Sequence, residues 1–139
     1  MKRRELLTVL AAAALASALY PLELYVVTPE QVMHYLPDGH QAETRDVSDL
    51  RPGLKDAAVG QASVGAAPVV IVVAAVPSRL SHRYGDEAEA FVQIEVGHAA
   101  QNILLQAAAS DLPPCPWAAL IPHGRRTPSP CPPIRPSCT

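Results

Sequence analysis

Asp86-Glu-Ala-Glu-Ala-Phe-Val-Gln-Ile-Glu-Val-Gly-His-Ala-Ala-Gln-Asn-Ile-Leu-Leu-Gln-Ala-Ala-Ala109 is the longest helical pattern in the chain, and the rest of the fold is read outward from it. Val92, Val96, Ala99, Ile103 and Ala107 recur at steps of four, three, four and four, which puts them on one face of a helix. Phe91, Ile94, Ala100 and Leu104 widen that face, so the helix is expected to be largely buried. Asp86 and Glu87 open it where negative charge suits the helix dipole, and Pro113-Pro114 forbid its continuation.

Upstream, Ala67-Pro-Val-Val-Ile-Val-Val-Ala-Ala-Val76 is an uninterrupted apolar run, the mark of a strand covered on both faces, and Pro77 closes it. Leu50 to Val59 reads as a short helix, with Pro52 near its start and Gly60 just past its end. Met33–Leu36 and Gln41–Val47 flank Pro37-Asp-Gly-His40, where proline presets one turn residue and glycine supplies a positive φ, so they form a hairpin. Leu19–Val27, rich in β-branched and aromatic residues and ending at Thr28-Pro29, reads as a strand. The body is thus a mixed α+β domain.

The chain has 139 residues, which allows one domain, and a net charge of −2, which argues against a non-specific nucleic-acid binder. Residues 113–139 hold nine of the fifteen prolines, all three cysteines and three arginines without an acidic residue, so the body carries a net charge of −5. That composition is expected to be disordered, because each proline removes a backbone donor and blocks helix and central strand alike. Cys115, Cys131 and Cys138 match neither a zinc spacing nor a closed disulfide framework and read as free thiols.

At the other end, Lys2, Arg3 and Arg4 precede an apolar run from Leu6 to Leu19 that contains Ala16-Ser17-Ala18, the layout of a bacterial export signal with a loose twin-arginine look. The same residues read equally as an Ala-rich helix with Glu5 in its first turn, which leaves the chain cytoplasmic rather than exported. The run is too short for a stable transmembrane span. The expected organisation is a leader over 1–18, a domain over 19–112 and a tail over 113–139.

Two local patterns are weak on their own. Glu95-Val-Gly-His98 has the E-x-x-H spacing of bundle-type metal half-sites, but no second such helix accompanies it, so a hydrogen-bonded histidine on a packed helix is expected and no metal is assigned. Gly60-Gln-Ala-Ser-Val-Gly65 lacks the G-x-G-x-x-G spacing of a dinucleotide cradle and reads as a helix-terminating loop.

Four blocks together carry more. Ala18-Leu-Tyr-Pro-Leu-Glu-Leu-Tyr-Val-Val27, Gly60-Gln61 ahead of Ala67-Pro-Val-Val-Ile-Val-Val73, Arg83-Tyr-Gly-Asp86 and Glu95-Val-Gly-His-Ala-Ala-Gln-Asn-Ile-Leu-Leu105 resemble, in order and spacing, the nitroreductase superfamily and within it the SagB-type azoline dehydrogenases. The resemblance implies an α+β nitroreductase-like fold, an FMN-dependent oxidoreductase activity, and a homodimer with two flavin sites across its interface. It also implies a nicotinamide or peptide substrate; the SagB-type branch removes two hydrogens from a peptide thiazoline or oxazoline. The family's Lys-Tyr pair aligns with Arg83-Tyr84, which makes these the catalytic pair, while Ser17, Tyr20 and Gln61 fall to the cofactor. Arg83 keeps the positive charge and cannot act as a base, because a guanidinium does not give up its proton.

The chain departs from the family at both ends. Leu15 stands where the family's flavin-contacting serine belongs, the Arg-Arg-Ser-type segment that grips the FMN phosphate is absent, and Asp111-Leu-Pro-Pro-Cys-Pro replaces a Gly-Leu-Gly turn, as a shift of reading frame would produce. FMN is therefore expected to bind weakly or not at all. The chain would work as a homodimer or beside a complete relative in a heterodimer. The alternatives are a non-catalytic fragment or partner-binding module of the same fold, and a small exported protein.

Overall fold

The computed structural model describes residues 21–112 and Pro114. Three strands open the fold: β1 (Leu22–Val27), β2 (Val32–Leu36) and β3 (Gln41–Asp46). Two short helices follow, α1 (Arg51–Ala57) and α2 (Ala62–Ala66), then β4 (Val70–Ala75), α3 (Ser78–Tyr84), a 3₁₀ turn over Gly85–Glu87 and the long helix α4 (Ala88–Ala109). The strands make one antiparallel sheet in the order β3-β2-β1-β4.

Each hairpin is closed by side chains suited to turns. Between β1 and β2 the Thr28 hydroxyl accepts from the Gln31 amide at 3.2 Å and donates to the Gln31 carbonyl at 3.2 Å, locking the Thr28-Pro-Glu-Gln31 turn. Between β2 and β3 the chain reverses over Pro37–His40, where Gly39 at φ +78° supplies the left-handed step and the His40 amide donates to the Pro37 carbonyl at 3.2 Å.

One sheet face meets α4. Leu24, Val26 and Tyr35 pack with Ala99 and Ile103, and Met33, Ile71 and Val73 complete that layer. A smaller cluster of Leu80, Ala88 and Val92, bordered by Leu22 and Val96, ties α3 to the start of α4. The expected stripe is therefore the buried one: Val92, Ala99, Ile103 and Ala107 are buried, with Val96 half-buried.

The other sheet face carries an electrostatic chain across four elements. Glu23 of β1 takes a hydrogen bond from Arg79 of α3 on one oxygen and lies 2.5 Å from His34 Nε2 of β2 through the other. Arg45 of β3 reaches His34 Nδ1 at 3.2 Å, and the Tyr25 ring stacks on the imidazole at 4.7 Å. Burial pushes the Glu23 carboxyl up, but the bonds from Arg79 and His34 together outweigh it and hold the group below the usual carboxylate range.

Several expectations are corrected. The Gly60–Gly65 segment holds helix α2 rather than a plain loop; Gly65 is tolerated because helix packing leaves it against the Lys55 stem. β4 starts at Val70, beyond Pro68, which has no amide to donate to a ladder. It lies at the sheet edge and is half-buried, not covered on both faces, since its only partner among the described strands is β1. Helix α4 is buried along one stripe only; Phe91 and Ile94 are exposed and Ala100 and Leu104 half-buried, because apolar residues occupy more than the sheet-facing side. The strand read from Leu19 begins at Leu22 within the described residues.

Two outcomes follow from this packing. Ala99, at 1% exposure, has no room for a larger side chain, so Ala99→Leu is expected to cost about 1–3 kcal/mol in urea unfolding, whereas Leu at the exposed Gln101 changes stability by less than about 0.5 kcal/mol. Equal effects at the two positions would contradict the packing. Because the Glu23 carboxyl is held below its ordinary 4.5, its contribution is complete above that pH and lost as pH falls through the folded-state value. The stability gap between the parent and Glu23→Gln should therefore narrow from pH 7 to pH 3; a constant gap would show that the ion pairs contribute nothing.

Candidate functional site

Arg83 and Tyr84 close helix α3, and Gly85 behind them takes φ +54° and ψ −129°, a conformation open to glycine, which turns the chain into the 3₁₀ step toward α4. That turn brings Tyr84 back onto α4. Its ring lies 4.7 Å from the Phe91 ring at a 44° tilt, and the Arg83 guanidinium carbon sits 5.8 Å from the Tyr84 centroid, within cation–π range. Tyr84 is 37% exposed.

Phe91 starts a second stripe on α4. Ile94 lies one turn on and Leu105 three turns further, on the side turned away from the sheet, with exposures of 54% and 59% and the polar Gln101 and Asn102 between them. His98, expected to be a packed and hydrogen-bonded residue, is instead exposed between them, because the helix turns that face to the outside. Its partner in the E-x-x-H pattern, Glu95, has a buried Oε2 with no hydrogen-bond partner among the described residues. No group of three or more His, Cys, Asp or Glu among the described residues could hold a metal ion.

Gln61 stands at the N-cap position of α2 and is half-buried. Val59 at φ +56° and Gly60 at φ +76° precede it, and the Gly60 amide donates back to the Lys55 carbonyl at 2.9 Å, so the α1 terminus reverses the chain to deliver Gln61. A β-branched residue in the left-handed region is strained, and that strain sits two positions from a candidate cofactor residue. Gln61 and the Arg83-Tyr84 pair thus come from separate elements on either side of β4 in the chain. Ser17 and Tyr20 lie outside the described residues.

These side chains fit one part of an FMN molecule better than the other. A phenol, a guanidinium and an amide suit the redox ring. For the phosphate, Arg51 is committed to Asp49 at 2.7 Å and to the Ala67 carbonyl at 2.9 Å, Arg45 to Glu43 at 3.2 Å, and Arg79 to Glu23. These three arginines are thus engaged within the fold.

Sequence reasoning did not single out the Glu23–His34–Arg45 chain or the outward stripe of α4. The first was readable from alternation, since Glu23 and Tyr25 share a strand face and His34 pairs with Tyr25. The second was present in the spacing of Phe91, Ile94 and Leu105, which were assigned to the buried face or left out.

The Nitroreductase family profile matches residues 2–121, which takes in most of residues 1–18 and the first part of the tail. The provisionally named nitroreductase MJ1384 of Methanocaldococcus jannaschii is 36% identical over 103 residues, covering 70% of this chain and 52% of its own length. The chain thus spans about half the length of the curated relative it matches. A crystal structure of a provisionally named nitroreductase from Anabaena variabilis superposes with a TM-score of 0.71 at 26% identity, over 78% of this chain and 27% of that one. One from Ralstonia eutropha gives 0.62 at 25% identity, over 79% and 57%. A chain of the Escherichia coli microcin synthetase McbBCD complex with truncated pro-MccB17 bound gives 0.59 at 18% identity, over 78% and 50%, a likeness of fold. With a family profile across most of its length and a nitroreductase crystal structure that superposes over 78% of it, the chain belongs to the nitroreductase family.

Proposed function

We propose that this chain acts in an FMN-dependent oxidoreductase of the SagB-type dehydrogenase branch, with Tyr84 and Arg83 as its catalytic pair and Ser17, Tyr20 and Gln61 on the cofactor. The observation that carries the reading is the position of Tyr84: ringed by Arg83 and Phe91, it stands at the head of the uncovered apolar stripe of α4. A second copy of the chain seated on that stripe would bury Phe91, Ile94 and Leu105 and enclose Tyr84 at the edge of the contact. Low-dielectric surroundings there would strengthen every polar interaction made by the pair.

When bound, FMN supplies the two-electron acceptor. Tyr84 holds or accepts a proton at its phenolic oxygen. Arg83 offers a fixed positive charge that stabilises a developing anion without exchanging a proton. The substrate class proposed is a peptide thiazoline or oxazoline, a reading supported by the likeness of fold to a chain of the microcin synthetase complex that holds truncated pro-MccB17. Residues 1–18 are proposed as a leader and 113–139 as a tail. Among the described residues no helix is long and apolar enough to cross a membrane.

A second reading has its own support: the uncovered stripe serves a complete relative as well as a second copy, and the microcin synthetase neighbour belongs to a multi-subunit complex. In that reading this chain is a partner-binding subunit, and the other protein shares in holding the flavin.

Tyr84→Phe is expected to lower oxidation of an azoline peptide by roughly 10²- to 10⁴-fold with little change in flavin content, and Arg83→Lys to raise it by restoring a group that titrates when desolvated. Stopped-flow absorbance of the flavin band measures both; variants indistinguishable from the parent would remove the pair from the chemistry. Sedimentation of the parent should show concentration-dependent association that Ile94→Asp abolishes. A monomeric parent at high concentration would end the dimer reading.

A further inference from the structure

We propose that His34 is a proton-operated latch, exchanging Arg45 for Glu43 on its Nδ1 and so holding strand β3 to the sheet in two different ways. An arginine side chain has donors and no acceptor, so the 3.2 Å contact from Arg45 Nη2 requires a lone pair on His34 Nδ1. The ring proton is therefore on Nε2, where it donates to Glu23 Oε2 at 2.5 Å. Neutral His34 thus links β1 to β3 through one donor and one acceptor.

A second proton, taken from solvent, changes only the β3 side. Nδ1 becomes a donor facing the donor of a permanent cation, and the Arg45 bond is replaced by repulsion. The His34 side chain is 10% exposed, so the new N–H does not simply turn to bulk water and needs an acceptor nearby. Glu43 is that acceptor. It is the cross-strand partner of His34 on the same sheet face, and its Oε2 lies 3.2 Å from Arg45 Nη2. Both β3 side chains are about half exposed, 48% for Glu43 and 50% for Arg45, so they can trade places without moving the backbone.

The other groups facing the imidazole hold still during the exchange. From β1, Glu23 keeps its bond to Nε2 and Tyr25 keeps its stack; from α3, Arg79 stays on the far oxygen of Glu23. The charge that moves is that of Arg45, which swings outward along the sheet edge formed by β3.

Residue-resolved hydrogen exchange on the full chain at pH 8 and pH 5.5, corrected for intrinsic rates, tests the latch, with the β1–β4 amides as the internal reference. The parent should keep its protection over residues 41–46 at both values. Glu43→Leu, which has no acceptor, should match the parent at pH 8 and lose about tenfold protection in β3 at pH 5.5, while Arg45→Met should show its loss at pH 8 and recover at pH 5.5. Ring ¹⁵N shifts should place the proton of neutral His34 on Nε2. A neutral ring protonated at Nδ1, or variants whose losses do not depend on pH, would overturn the proposal.

Discussion

Strand β1 has to satisfy two opposite environments at once, and the rest of the structure depends on its doing so. Leu24 and Val26 point into the layer filled by Ala99 and Ile103, while Glu23 and Tyr25, one position along, face the charged side of the sheet. A slip of one residue in register would bury Glu23 against α4 without its arginine and expose the core residues. The pairing of β1 with both β2 and β4 is what fixes that register. An unpaired carboxylate in an apolar layer costs several kcal/mol or forces protonation, so the ion pairs to Arg79 and His34 act as a check on correct assembly.

Helix α4 divides its residues in a related way. The stripe from Val92 to Ala107 meets the sheet and closes the core, leaving Phe91, Ile94 and Leu105 exposed on the far side, where Phe91 meets the Tyr84 ring. The turn at Gly85 directs Tyr84 onto this second face rather than the first. Packing of the core thus decides where the candidate chemistry is presented. A nitroreductase-family chain that folds this way places its proposed proton-transfer group at the border between one molecule and whatever covers it.

Much of this was legible before any coordinates. β-Branched and aromatic content, turn residues and an apolar run located the strands, and the periodic positions Val92, Ala99, Ile103 and Ala107 picked out the sheet-facing stripe of α4. What escaped was of two kinds. Helix α2 and the polar helix α3 carry little periodicity in five and seven residues, and glycines at 60 and 65 pointed to a loop where tertiary packing favours a helical turn. The second apolar stripe of α4 escaped because a helix rich in alanine and aliphatic residues gives no strong polar face to contrast with. Site residues fared in proportion to their locality: Arg83 and Tyr84 sit together because they are adjacent, whereas the Glu23–His34–Arg45 chain required strand register, which no single segment encodes.

The proposed function puts the flavin beside Tyr84, on the face of α4 that points away from its own sheet. Hydrogen exchange recorded residue by residue while FMN is titrated into the full chain tests this directly. The account predicts slowed exchange around Gln61, from Arg83 to Phe91 and along the turns of α4 that carry Ile94 and Leu105, with β3 unchanged. Bound flavin that leaves residues 83–105 unprotected, or protects β2 and β3 instead, would contradict it.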